Sequence, residues 1–117
     1  MSNTTSSRPK DRHWNQLEED ICEIIEYGTK RTKGSGSKKG DMDVKTKIHG
    51  VNIFFEGKSE EIPKGNCIVK YDEFQKMLKQ AQTFFGIGIY VRKDKDSELI
   101  ASMKLTDLRR LIDILTG

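Results

Sequence analysis

The chain has 117 residues, which is the length of one domain and leaves little room for a second. Charged residues make up 33% of the sequence, and the formal net charge is +3. No apolar run approaches the roughly 18 residues of a membrane-spanning helix, and no signal peptide is recognisable. We therefore expect a soluble, cytoplasmic protein, and its mildly basic balance is compatible with a nucleic-acid partner.

The N-terminal third divides into an arm, a helix and a loop. Residues 1–12 are polar and basic without periodicity, so we expect a flexible arm, with residues 13–117 forming the domain. Residues 14–27 carry apolar side chains at helical spacing, and Gly28 is a plausible stop. The loop that follows is rich in glycine and lysine, which is typical of a segment that contacts phosphates rather than a core.

The middle of the chain predicts a β-hairpin. Apolar and charged residues alternate over residues 41–48, His49-Gly50 suits a two-residue turn, and residues 51–58 form the returning strand. A loop then leads to a short predicted strand at residues 67–69.

The last third predicts two helices around a second hairpin. Residues 72–84 have amphipathic spacing, and Phe84 and Phe85 are expected in the core rather than on a stacking surface. A buried strand at residues 87–91 pairs with residues 99–103, and Thr106 is expected to cap a final helix. The predicted order of elements is α-β-β-β-α-β-β-α.

The register of the first hairpin brings acidic residues together. With a turn at His49-Gly50, Asp43 lies opposite Glu56 and Asp41 lies opposite Lys58. Alternation of side chains along a strand then places all four on one face of the sheet. Val44, Ile53 and Phe55 are expected to point to the other face.

Facing carboxylates destabilise a sheet because like charges repel across neighbouring strands. A divalent cation such as Mg²⁺ removes this repulsion, since it prefers oxygen ligands and usually takes one or two carboxylates together with water. Such a cation activates water and screens a phosphodiester, and a nearby lysine stabilises developing negative charge. The residue types therefore predict metal-assisted phosphodiester hydrolysis.

The alternative interpretation is a solvated sheet face with ordinary cross-strand ion pairs. Three features favour the cation site. Glu56-Gly57-Lys58 ends an apolar strand, the aspartates occupy the facing strand, and a glycine- and lysine-rich loop directly precedes them.

In this arrangement the chain resembles the PD-(D/E)XK nucleases, and among them the archaeal Holliday junction resolvases and related phage nucleases. The shared features follow one another in order from Glu18 to Val91. They are Glu18 ahead of Ile21 on the first helix, the loop GSGSKKGD ending at Asp41, the motif Glu56-Gly57-Lys58, and a helix followed by a buried strand. The resemblance implies a restriction-endonuclease-like α/β fold, with a mixed sheet flanked by helices and an α-β-β-β-α-β core.

The resemblance also implies roles for individual residues. Glu56 and one preceding aspartate would bind Mg²⁺ or Mn²⁺, with the Gly57 carbonyl as a third ligand, and Lys58 would act on the attacking water or the phosphate. Glu18 would reach the metal directly or through water. By the same resemblance, Ser35 or Ser37 would contact the scissile DNA strand. Independently of the resemblance, the positive charge of the loop predicts phosphate contacts, and the alternative is an ordinary solubilising loop. The basic residues are Lys30, Arg31, Lys33, Lys38 and Lys39.

Two ligand assignments stay open. Asp41 follows the loop as the family's aspartate does, whereas Asp43 matches the register with Glu56 and is slightly preferred. Glu19 is the alternative to Glu18, which shares a helix stripe with apolar residues. Gly40 precedes Asp41 where the family commonly has proline.

By resemblance, the expected activity is a Mg²⁺-dependent endonuclease that cleaves branched DNA during recombination or repair and acts as a homodimer. The alternatives are a nuclease for linear, flap or single-stranded DNA, and a non-catalytic DNA-binding module with the same fold.

Overall fold

The structure, a computed structural model, describes residues 9–31, 43–58 and 69–117. These residues form one five-stranded mixed sheet in the order β1-β2-β3-β4-β5, flanked by helices. The elements are α1 (Pro9–Ile25), β1 (Lys30–Arg31), β2 (Val44–Ile48), β3 (Val51–Lys58), α2 (Tyr71–Thr83), β4 (Ile87–Lys93), β5 (Leu99–Ser102) and α3 (Leu105–Thr116).

The predicted first hairpin is confirmed. Strands β2 and β3 are antiparallel, and Ile48 pairs with Val51 at the turn. His49 and Gly50 have φ values of 50° and 80°, the left-handed conformation that a tight hairpin turn with a matching twist requires. The register continues to Val44 opposite Phe55, so the next residues outward are Asp43 and Glu56.

Strand β4 joins the hairpin in parallel, because α2 carries the chain back across one face of the sheet. This register sets Glu56 beside Tyr90 and Lys58 beside Arg92. Strand β5 then closes the sheet in antiparallel pairing with β4.

The sheet has a separate apolar layer on each face. One layer joins α1 to the sheet through Leu17, Ile21, Val44, Ile53 and Phe55, the last three being those predicted for this face. The other layer joins α2 to the sheet through Phe54, Met77, Leu78, Ala81 and Tyr90. Neighbouring residues on β3 therefore serve opposite layers, as strand alternation requires.

Helix α3 lies on the α1 side of the sheet, where Leu111 and Ile114 pack against the core. None of its residues is buried. All of its remaining apolar side chains are exposed, namely Leu105, Leu108, Ile112 and Leu115.

Several predicted boundaries differ from the structure. Helix α1 begins at Pro9, so residues 9–12, assigned to the arm, belong to the helix, and residues 1–8 lie outside the described residues. It ends at Ile25 rather than at residue 27, because Glu26 and Tyr27 both have positive φ values and cannot continue a right-handed helix.

The third predicted strand and the predicted N-cap of the last helix also differ from the structure. Val69 is not in a strand, and residues 67 and 68 lie outside the described residues. The short strand β1 was not predicted, because two exposed basic residues show no alternation. Lys104, not Thr106, occupies the position before α3, and Thr106 lies in the first turn.

The prediction that Phe84 and Phe85 lie in the core was wrong. Their exposed fractions are 41% and 87%. Helix α2 ends just before them, and the chain turns at Phe85, which has a φ of 54°. Helical spacing no longer determines which side of the helix they occupy.

Within the described ranges, no helix has both the length and the apolar character needed to cross a membrane.

The backbone at Gly86, after α2, packs closely against the β2–β3 hairpin. A Cβ at this position would lie 2.7 Å from the Asn52 carbonyl oxygen and 2.7 Å from the Phe54 ring. Because backbone cannot move aside easily, we expect Gly86→Ala to lower the free energy of unfolding by about 1–3 kcal/mol in urea titrations. Gly28→Asn is the control, since its site is open and asparagine tolerates positive φ. Equal stability of the two variants would contradict this packing.

Candidate active site

Glu56 and Lys58 lie at the end of β3, on the face of the sheet that α2 covers. Phe54, two residues before Glu56, packs under α2. Strand alternation therefore directs Glu56 and Lys58 to the same face of the sheet, beyond the N-terminal half of α2. The Lys58 Nζ lies 3.3 Å from the Glu56 Oε2. The predicted motif therefore forms an ion pair at the edge of the second apolar layer.

Asp43 is held beside this pair by the backbone of β3. Its Oδ2 accepts a hydrogen bond of 3.0 Å from the Gly57 backbone N–H, and the residue is almost fully buried. The predicted juxtaposition of Asp43 with Glu56 is thus present. Asp41 lies outside the described residues, so the choice between the two aspartates as ligands stays open.

The Glu56 carboxyl lies in a partly buried position next to other charged groups. Burial raises the pKa of Glu56, and the negative charge of Asp43 raises it further, against the opposing effect of Lys58. The ionised form of Glu56 is therefore disfavoured in the protein alone. A bound cation would favour the ionised form and so oppose both effects, because it adds positive charge where water has been removed.

Lys58 is surrounded by negative charge. Burial by itself lowers the pKa of Lys58, but the charges of Glu56 and Glu73, with a contribution from Asp43, raise it above the ordinary value. Lys58 is accordingly a protonated amine at neutral pH. It is suited to stabilising negative charge and unsuited to accepting a proton.

Three further residues at this site, Glu73, Tyr90 and Arg92, were missed in the sequence. Tyr90 is fully buried next to Glu56, and its O–H donates a hydrogen bond of 2.8 Å to the Glu73 Oε1 on α2. Burial and this hydrogen bond raise the pKa of Tyr90, so it remains a phenol. Tyr90 thus fixes Glu73, whose charge acts on Lys58.

Arg92 completes the row on β4, next to Lys58 in the parallel register, and is also buried. The available signal was the alternation of Gly88, Tyr90 and Arg92 within an otherwise apolar strand. It did not suffice, because only the parallel pairing of β3 with β4 places this row beside the hairpin.

Glu18 is buried on α1, whereas Glu19 is exposed, which agrees with the predicted inward stripe. Its Oε1 accepts a hydrogen bond of 2.7 Å from the Arg31 Nε. Glu18 raises the pKa of Glu56 less than the other causes do. Arg31, predicted to contact DNA, therefore connects β1 to α1 and compensates the charge of Glu18.

The other predicted residues lie outside the described residues. They are Lys33, Ser35, Ser37, Lys38, Lys39 and Asp41. Their roles stay predictions.

The donor set can be compared with what a divalent cation needs. In the part of the chain that the structure describes, no three carboxylate, histidine or cysteine side chains gather into a metal-binding group. The adjacent carboxylates of Asp43 and Glu56 do fit Mg²⁺, which commonly takes one or two carboxylates and fills its octahedron with water. Glu18 does not join them directly.

No family model matches this sequence, and no curated protein matches it. Among solved structures, the chain is similar to Hjc, a Holliday junction resolvase from the archaeal hyperthermophile Archaeoglobus fulgidus. The sequences are 17% identical, the TM-score is 0.59, and the alignment covers 75% of this chain and 73% of that one. At this identity the likeness shows the fold, and the chain therefore has the restriction-endonuclease-like fold that the resemblance predicted.

Proposed function

We propose that the protein is a metal-dependent DNA endonuclease that acts on branched DNA. The observation that carries the proposal is the convergence of Asp43, Glu56 and Lys58 at the end of one hairpin. The similar fold of a Holliday junction resolvase supports DNA as the substrate and branched DNA as its form.

Asp43 and Glu56 would hold Mg²⁺ or Mn²⁺, and the Gly57 carbonyl is proposed as a further ligand. The cation would supply Lewis acidity and lower the pKa of water near the phosphate. Lys58, kept protonated by Glu56 and Glu73, would stabilise the negative charge that develops on the phosphate during attack. Tyr90 would position Glu73 for this purpose.

Substitution of the motif tests this assignment. We expect Lys58→Ala and Glu56→Ala each to lower the cleavage rate of a four-way junction by about 10²–10³-fold, because each removes a charge aligned with the reaction. Rates are measured with Mg²⁺ under single-turnover conditions. Lys95→Ala, in the exposed turn after β4, is the matched control and should cleave at the wild-type rate.

Cleavage by both motif variants at the wild-type rate would exclude this site. A wild-type protein that binds DNA but cleaves none would instead indicate a non-catalytic module. Preference for flap, linear or single-stranded DNA over junctions would retain the site and change the substrate.

The raised pKa of Glu56 predicts how stability depends on pH. Since the folded protein retains this proton more tightly than the unfolded chain, stability without metal should fall as pH rises from the ordinary carboxyl range through the raised pKa. Glu56→Gln should lack this component. The measurement is urea unfolding with EDTA, from about pH 4 to about pH 8, for both proteins.

A cation should act in the opposite direction. Mn²⁺ binds the ionised carboxylates, so its affinity should increase with pH, and binding should release protons. Calorimetry in buffers of different ionisation enthalpy measures both effects. Identical pH profiles for the wild type and Glu56→Gln, with and without Mn²⁺, would contradict a cation at this position.

We also propose that the protein acts as a homodimer through α3. Its exposed apolar residues are Leu105, Leu108, Ile112 and Leu115, and a helix of 12 residues is marginal in water without packing. The helix carries two aspartates and two arginines, so two copies meet without net repulsion. The second copy would cover the apolar face of α3 and would supply a second active site for the other DNA strand.

Light scattering after gel filtration tests the dimer. We expect about twice the 13.4 kDa chain mass for the wild type and the chain mass for Ile112→Glu. Ile24→Glu, at an exposed isoleucine of α1, is the control and should stay dimeric. A monomeric wild type at micromolar concentration would oppose this role of α3.

A further inference from the structure

Phe84 and Phe85 form an exposed aromatic pair where α2 ends. Phe85 is 87% exposed and adopts a φ of 54°, a conformation that bulky residues rarely occupy. The Phe84 ring lies 5.7 Å from the ring of buried Phe54, so one aromatic side chain anchors the turn and the other projects from it. A strained residue that exposes an apolar ring is poorly explained by stability alone.

A row of lysines lies on the same face of the sheet, over the strands that α2 leaves uncovered. Lys45 pairs with Phe54 and Lys47 with Asn52 in the hairpin, so these side chains share the α2 face. Lys30 pairs with Lys45 and extends the row to β1. All three lysines are exposed.

These lysines differ from the other basic residues near the site. In the described parts of the chain, no carboxylate lies within ion-pair distance of Lys30, Lys45 or Lys47. Arg31 and Lys58, by contrast, contact Glu18 and Glu56. Among the described residues, the row is therefore a surface of uncompensated positive charge.

The lysine row and the aromatic pair are connected. Asn52 lies opposite Lys47, and its Nδ2 donates a hydrogen bond of 3.4 Å to the Phe84 carbonyl oxygen. At the other end, Asp43 precedes Lys45 by two residues on the same face. One continuous surface thus runs from the Asp43–Glu56 site, along the lysines, to Phe85.

We propose that this surface binds DNA beyond the cleavage site, with the sugar-phosphate backbone over Lys30, Lys45 and Lys47 and an unpaired base stacked on Phe85. The proposal rests on the proposed nuclease function and adds to it the feature that is recognised. Aromatic rings stack on any base, so Phe85 would detect an unpaired base and not a sequence.

The register of β3 gives the length of this surface. Four residues of β3 separate Glu56 from Asn52, which is about 13 Å at the rise of a strand. This corresponds to about four base steps of a duplex at 3.4 Å each. The Asn52 end of this surface therefore lies about four base steps from the Asp43–Glu56 site.

A second copy of the chain is the competing occupant of this surface. A symmetric contact centred on the lysine row would bring the like charges of two protomers together, which is unfavourable. A polyanion with flat, exposed bases suits both the charge and the aromatic pair, so DNA is favoured.

Binding without cleavage tests the proposal. In EDTA, fluorescence anisotropy compares a four-way junction, a single strand and a fully paired duplex. We expect Phe85→Ser to weaken binding of the single strand by about 5- to 100-fold and to leave blunt duplex unchanged, since stacking requires an unpaired base. Phe85→Trp should restore binding.

The lysines should act on every DNA form. Lys45→Ala and Lys47→Ala are each expected to weaken binding of junction, strand and duplex. With one phosphate neutralised by each lysine, each variant should reduce the salt slope by about 0.9 for duplex and about 0.7 for the single strand. Tyr27→Ser is the matched control, because Tyr27 is also exposed with positive φ but contacts Thr46, on the opposite face. It should bind like the wild type.

Three results would overturn the proposal. The first is unchanged DNA binding by Phe85→Ser, and the second is an equal loss of affinity for duplex and single strand. The third is a change in the molecular mass of the protein on Phe85→Ser, which would assign Phe84 and Phe85 to a protein contact. Because these measurements omit the cation, they are independent of catalysis. A protein that shows the expected binding but no cleavage would refute the nuclease and leave this surface intact.

Discussion

The register of the β2–β3 hairpin is the constraint on which the rest of the structure depends. The left-handed turn at His49 and Gly50 sets that register, and a slip of one residue would move every side chain of the hairpin to the other face. In the observed register, Asp43 and Glu56 meet at the open end, while Val44 and Phe55 enter the core. The site and the core therefore both depend on the same turn.

Strand alternation then separates the functions of the two faces. The face under α1 and α3 is mostly apolar, and its outermost helix still exposes a row of apolar side chains. The face under α2 carries Glu56, Lys58, Tyr90 and the lysine row. A protein contact through α3 would leave the α2 face free, so a proposed dimer and a proposed DNA surface are compatible in one molecule.

The site concentrates charge in a partly buried place, which is costly without compensation. Glu56 illustrates this cost, because burial and Asp43 both disfavour its ionised form. The negative charges of Glu56 and Glu73 favour the protonated form of Lys58, so Lys58 stays protonated. Among the described residues, the site has three carboxylates, Asp43, Glu56 and Glu73, and two cations, Lys58 and Arg92. That imbalance is the physical reason for proposing a cation, even though these three carboxylates do not gather into one metal-binding group.

The sequence by itself determined the local features: the hairpin, its turn, its register and the position of Glu56 and Lys58 on one face. These follow from alternation and turn chemistry, which act between residues close in the chain. Only the tertiary structure decided that β4 runs parallel to β3 and brings Tyr90 and Arg92 to the site, and that Glu18 contacts Arg31. It also decided that Phe84 and Phe85 are exposed. Such outcomes depend on how distant elements pack, and periodicity within one segment carries no information about its neighbours in space.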